Sequence, residues 1–195
     1  MNYFSIIILT FLFSSCSITN KLNNQIDQNQ KASLVNSPFN TAKGMNLELK
    51  TQKKYRIQYE KDLRKMLKEN TTDTIILKEN YNFICFGCPA DFVQIFSKNK
   101  LIVYRLKDKE KKYQNATLTL TDDLMIDPNK YYYNDIIELK EEIVKGNNWN
   151  SNPENYGTDK CFDGGHTFYT VFYPSSKIES MYMRCWIGKE LIDEN

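Results

Sequence analysis

Cys85-Phe86-Gly87-Cys88-Pro89 is the stretch whose residue types and spacing most directly suggest chemistry. Two cysteines separated by two residues at the start of a helix allow a thiolate, stabilised by the helix N-terminus, to attack a substrate disulfide. Residues 74–86 would supply the preceding strand, and Pro89 suits a first helical position. Phe92, Ile95 and Phe96 keep helical spacing over one turn. Against this, no tryptophan precedes Cys85, and only about ten residues separate Pro89 from a turn at Asn99, short for the helix such chemistry uses. The competing reading is a Gly-Cys-Pro turn between two strands, with structural cysteines.

Two further thiols, Cys161 and Cys185, complete an even set once Cys16 is set aside. In an exported chain, four cysteines read first as two disulfides with three possible connectivities. A 161–185 bridge is plausible: Cys185 shares the alternation of Met181, Met183 and Ile187, and Gly164-Gly165 could fold the chain back toward it. A zinc site built from Cys85, Cys88, Cys161 and Cys185 is the alternative. A lone CxxC is a weak zinc signal, and an oxidising compartment favours bridges over thiolate ligands. Asp163-Gly164-Gly165-His166 places a carboxylate near the chain's one histidine, an acid–base pair in one reading and a Gly-Gly turn into a strand in the other. No nucleophile elbow, phosphate-binding glycine loop or calcium-loop spacing is present. No catalytic residue outside the redox alternative, no metal and no cofactor is therefore expected.

The compartment is written at the N-terminus. Residues 2–15 carry no charge, and Tyr3 to Phe13 is apolar except for Ser5 and Thr10. A spanning helix needs ~20 apolar residues, whereas a shorter run before small residues is a secretory h-region. Phe13-Ser14-Ser15-Cys16 resembles the lipobox of bacterial type II signal peptides, with Phe13 where leucine is usual. The resemblance implies that residues 1–15 are removed and that Cys16 becomes the acylated first residue, holding the chain on a bilayer without a transmembrane helix. Ser17 after the cysteine favours the outer membrane under the enterobacterial sorting habit. The other reading of these residues is an ordinary cleaved signal ending before a chance cysteine.

Residues 16–46, rich in Asn, Gln and Ser with Leu22, Ile26, Leu34 and Val35 in no sustained period, are expected to be a lipid-anchored flexible tether. One globular domain spans residues 47–195. Tyr55, Tyr59, Leu63, Met66 and Leu67 predict a helix over residues 51–69, whose basic face (Lys53, Lys54, Arg56, Lys61, Arg64, Lys65, Lys68) is either solvated or set against anionic headgroups. Strands are expected over residues 74–77, 82–86, 92–97, 101–106, 116–120, 167–173 and 178–187, with a second helix over about 134–145. Short turns between strands imply a mostly antiparallel sheet and an α+β class.

The chain has 195 residues, 41% hydrophobic and 26% charged, with a net charge of +2, so disorder, a multi-span membrane protein and nucleic-acid binding are not supported. Charge is nonetheless split, with residues 17–120 basic and 121–195 acidic, which polarises the surface unless folding interleaves the halves. Tyr131-Tyr132-Tyr133 and the alternating Tyr169, Tyr173 and Tyr182 are either a recognition surface or strand packing. The leading expectation is a non-enzymatic binding module of the bacterial cell envelope, attached to the membrane through lipid at Cys16, with a protein or envelope component as partner. The alternatives are an envelope thiol-disulfide oxidoreductase using Cys85 and Cys88, and an immunity or inhibitor lipoprotein.

Overall fold

β-Branched and aromatic runs generate six strands, seen here in a computed structural model that describes residues 21–82, 84–98, 100–107, 110–119, 134–161 and 165–186. They are β1 (Ile75–Tyr81), β2 (Phe92–Ser97), β3 (Lys100–Lys107), β4 (Lys112–Thr119), β5 (His166–Phe172) and β6 (Ile178–Arg184). The order is β4-β3-β2-β1-β5-β6, and every neighbouring pair is antiparallel. Helices α1 (residues 21–35), α2 (Asn46–Tyr55), α3 (Glu60–Glu69) and α4 (Asn134–Val144) complete an α+β fold. Among the described residues, no helix is long and apolar enough to cross a membrane.

Successive side chains of a strand point to opposite faces, and β1 shows what covers each. Glu79 accepts hydrogen bonds from Gln30 of α1 and Gln52 of α2, whereas its neighbour Lys78 pairs with Asp135 of α4 at 2.5 Å. On β5, Thr170 meets Gln30 and Tyr169 meets Asp135. The central strands are thus covered on both sides, which explains why β5 is buried from Thr167 to Phe172 rather than alternating with solvent. The two halves of the charge split meet at two ion pairs. Lys78–Asp135 and Lys140–Asp73 (2.7 Å) both join the basic half to the acidic half.

Several expectations need correction. Residues 21–35 are helix, not tether: Leu22, Ile26 and Gln30 are buried and Leu34 packs against the core. These four fall at i, i+4, i+8 and i+12, one helical stripe whose third member is polar because it serves Glu79. The part of the tether at residues 16–20 lies outside the described residues, as do residues 1–15. The single helix over 51–69 is instead α2 and α3, separated by a 3-10 turn at Arg56–Gln58 and by Tyr59, whose φ of −122° is not helical. That break lets Arg56 and Tyr59 both reach Glu79. The basic face is correspondingly divided: Arg56 is buried, Lys53 pairs with Asp27 and Arg64 with Glu60. β1 runs on to Tyr81, and the described part of residues 82–86 is loop. The end of the expected strand 178–187 also shortens, since β6 stops at Arg184 and Cys185 turns out of it with φ 48°.

Candidate functional site

A fully buried ionic network organises the helical face. The Arg56 guanidinium donates to Glu79 through Nε (2.8 Å) and Nη2 (2.9 Å), a two-pronged pair, and also to Gln30 Oε1. Gln30 Nε2 donates to Glu79 Oε2 at 2.6 Å, and Tyr59 donates its hydroxyl proton to Glu79 Oε1. Burial alone would push the Glu79 carboxyl up, but attraction to Arg56 and hydrogen bonds from Arg56, Tyr59 and Gln30 outweigh it and hold it below the ordinary 4.5. Burial pushes the phenols of Tyr59 and Tyr81 well above their usual range, so both stay protonated. Nothing here is open to a substrate. The network is a clamp that ties α1 and α2 to β1.

Its reach extends to the cysteine loop. Gln52, which donates to Glu79, accepts from the backbone N–H of Ala90 at 2.9 Å, and Tyr113 donates to the Ala90 carbonyl at 2.6 Å. The Gly87 N–H donates to Glu48 Oε1 at 2.9 Å. Gly87 has φ +73°, and a Cβ there would stand 2.7 Å from Leu47 Cδ2, so only glycine lets the loop close over α2. Cys85 and Cys88 are bridged within this loop, with Cα atoms 5.5 Å apart. The brace leaves Ile84 (77% exposed) and Phe86 (78%) projecting into solvent beside half-exposed Leu47. Beneath them, Glu48 Oε2 and the Tyr81 hydroxyl are buried without a hydrogen-bond partner among the described residues.

The second bridge, Cys161–Cys185, lies at the same end of the sheet, because Tyr81 of β1 is opposite His166 of β5 and His166 opposite Arg184 of β6. The gap left by strand register is closed by residues 157–161, which run back along the end of β6. The Thr158 N–H donates to the Arg184 carbonyl at 2.8 Å, Gly157 bridges Trp186, and Arg184 Nη2 donates to the Cys161 carbonyl at 3.0 Å. A Cβ on Gly157 would lie 2.3 Å from Met183 Sδ and 2.5 Å from the Arg184 carbonyl, so the close approach demands glycine.

Asp163, the acidic member of the acid–base reading, lies outside the described residues; His166 Nδ1 is 2.5 Å from the Tyr182 hydroxyl. Tyr182 is 2.9 Å from Thr41 Oγ1, which donates to Asp159 Oδ1 at 3.0 Å. The donor order that satisfies every member runs from His166 through Tyr182 and Thr41 to the carboxylate. Burial, then the nearby Arg184, lowers the His166 pKa from its ordinary 6.5. An NMR titration of His166 should therefore show a midpoint below 6.5. Because the unfolded chain binds this proton more readily, the associated stability is complete above about pH 6.5 and lost as pH falls through the lower, folded value.

All four cysteines of the globular domain are thus bridged, as 85–88 and 161–185. The geometry that would activate a CxxC thiolate is missing, since Pro89 and Ala90 lead straight into β2 and no helix N-terminus follows Cys88. The helical spacing of Phe92, Ile95 and Phe96 is overruled by strand pairing with both neighbours. Of the two readings of the tyrosines, packing is the one the described residues support. Tyr169 and Tyr182 are buried because their hydroxyls find partners inside, Tyr173 is half-buried against Trp149, and Tyr131-Tyr132-Tyr133 lie outside the described residues. The exposed large apolar side chains among the described residues are instead Val35, Leu47, Ile57, Ile84, Phe86 and Val144, of which Leu47, Ile84 and Phe86 belong to the cysteine loop and the helix under it. A buried carboxylate in β1 was signalled by Glu79 sharing a face with Leu77 and Tyr81, and by nothing at Arg56. The chain matches no known protein family, no curated protein and no solved structure.

Proposed function

We propose that this chain is a lipid-anchored, non-enzymatic binding module of the bacterial cell envelope, held at the outer membrane by acylated Cys16. Its recognition surface is the bridged end of the sheet. The observation that carries this reading is the pair Ile84 and Phe86, held in solvent on a loop that is braced three ways, by the Cys85–Cys88 bridge, by Glu48 and by Gln52. Exposed large apolar side chains on a rigid support are the composition of an interface anchor, because little ordering entropy remains to be lost on binding. The anchor's position supports the same arrangement. α1 begins beside the β5–β6 turn, and seven strand residues, ~23 Å, separate that end from the bridged end, so the surface points away from the attachment point.

The test compares the wild type with Cys16→Ser and Phe86→Asp. Cys16→Ser is expected to leave the membrane fraction, and Phe86→Asp to stay there with its melting temperature within ~2 °C, since the side chain is exposed. In detergent-solubilised membranes the wild type should elute as a complex and Phe86→Asp as the lone chain. Membrane retention of Cys16→Ser defeats the anchoring, and an unchanged complex with Phe86→Asp defeats the recognition surface.

A further inference from the structure

Correcting the tether moves the domain. With α1 already formed at residue 21, Lys21 follows Cys16 by only five positions, a reach of at most ~18 Å where a 30-residue coil would give ~30 Å. The end of the sheet at the start of α1 is therefore the end that meets the bilayer, a conclusion that rests on the anchoring proposed above.

That end holds a cleft of about 490 Å³ between the start of α1, the end of α3 and the β5–β6 turn. Its lining divides by chemistry. Leu22, Leu67, Phe172 and Ile178 supply apolar surface, and Lys21, Arg64 and Lys177 supply positive charge. Arg64 is engaged by Glu60, and Lys177 lies 2.7 Å from Glu179, on a side chain that remains mostly exposed. Lys21 forms no ion pair among the described residues. Asp73, the acidic side chain in the lining, is already neutralised by Lys140 at 2.7 Å. Lys68 on the last turn of α3 adds exposed positive charge, while Lys65 is paired with Glu69 at 3.8 Å. An apolar lining under a cationic rim fits an amphiphile with an anionic head, and a covalent tether of five residues brings a bilayer's headgroups to it at high effective concentration.

We propose that the cleft bounded by Lys21, Lys177, Leu67 and Phe172 seats the phosphate headgroup and first acyl carbons of an anionic phospholipid from the membrane that carries the chain. Bound there, the lipid fixes the domain's orientation and turns the bridged end outward. Lys21 and Lys177 supply the charge recognition, and the apolar lining accepts the start of the acyl chains.

The experiment uses the full lipidated chain in phosphatidylcholine vesicles containing about 20% phosphatidylglycerol, with either lipid carrying a photoreactive group near its head. After illumination, adducts are mapped to peptides. Phosphatidylglycerol is expected to label the start of α1 and the β5–β6 turn, and the labelling to fall at least about ten-fold in a Lys21→Glu/Lys177→Glu variant that remains bound to vesicles. Both lysines are solvent-exposed, so the variant should fold, and its melting temperature checks this. Equal labelling by phosphatidylcholine, labelling spread over the domain, or labelling unchanged by the charge reversal overturns the headgroup site. Mass analysis of the same sample separates the two readings: an acylated Cys16 with no cleft labelling sinks the site alone, whereas an unmodified Cys16 removes the anchoring and the site together.

Discussion

Glu79→Leu is expected to lower the unfolding free energy by about 3–5 kcal/mol in urea titration, the largest effect of any single substitution in the domain. The substitution removes an acceptor that satisfies Arg56, Gln30, Gln52 and Tyr59 at once, leaving a guanidinium buried without its counter-charge. Arg56 cannot escape by deprotonating. The second half of the prediction distinguishes pairing from packing. Adding Arg56→Met to Glu79→Leu should recover much of the loss, because two apolar side chains need no partner, so the double variant should be markedly more stable than the sum of the single ones. A strictly additive pair would mean that the network is bulk filling rather than a coupled clamp. Acid gives the same test without substitution. Glu79 is held below its ordinary 4.5, so its contribution is complete above about pH 4.5 and is lost as pH falls through the folded value. In Glu79→Leu that part of the acid dependence should be absent.

Cys161→Ala/Cys185→Ala should cost about 3 kcal/mol, lowering the melting temperature by roughly 6–12 °C. The bridge closes a loop with a sequence separation of 24, and the released chain gains conformational freedom in its unfolded state. The cross-link also holds residues 157–161 against the end of β6, where Gly157 and Thr158 make backbone contacts to Trp186 and Arg184. Cys85→Ala/Cys88→Ala opens a loop of separation 3 and should cost about 2 kcal/mol or less. Denaturant titrations of the two variants, read side by side, check the order. The smaller bridge matters for a different reason: it shapes the support of Ile84 and Phe86.

The fold was legible where one face of an element is apolar and the other is wet. The β2–β3 hairpin, the last hairpin and α4 all emerge within a few residues of their bounds because Phe, Ile, Val and Leu recur at the right period. What escaped were the three polar groups of the buried ionic network and the element bounds they decide. Gln30 interrupts the stripe of α1, Glu79 sits where β1 reads as ending, and Arg56 looks like one more cation on an exposed helix. Each is buried only because the others are there, and a coupling across 23 to 49 positions has no local signature. The four cysteines read as bridged from count and compartment, but the 161–185 contact depends on the glycine approach at Gly157. In the sequence, Tyr169 and Tyr182 stay open between surface and packing for the converse reason. Tyrosines look like surface residues until their hydroxyls find internal acceptors, and a short Ile84-Cys85-Phe86 segment reads as a strand until its bridge turns it outward.

The bridged end of the sheet is proposed as the face that meets a partner. A photo-crosslinking amino acid placed at position 86, and separately at 84, in the full chain expressed in its native membranes tests it most directly, with position 144 on α4 as an equally exposed apolar control. One discrete adduct, of the same mass, is expected at 84 and 86 and none at 144. No adduct at 84 or 86, or the same adduct at all three positions, would contradict it.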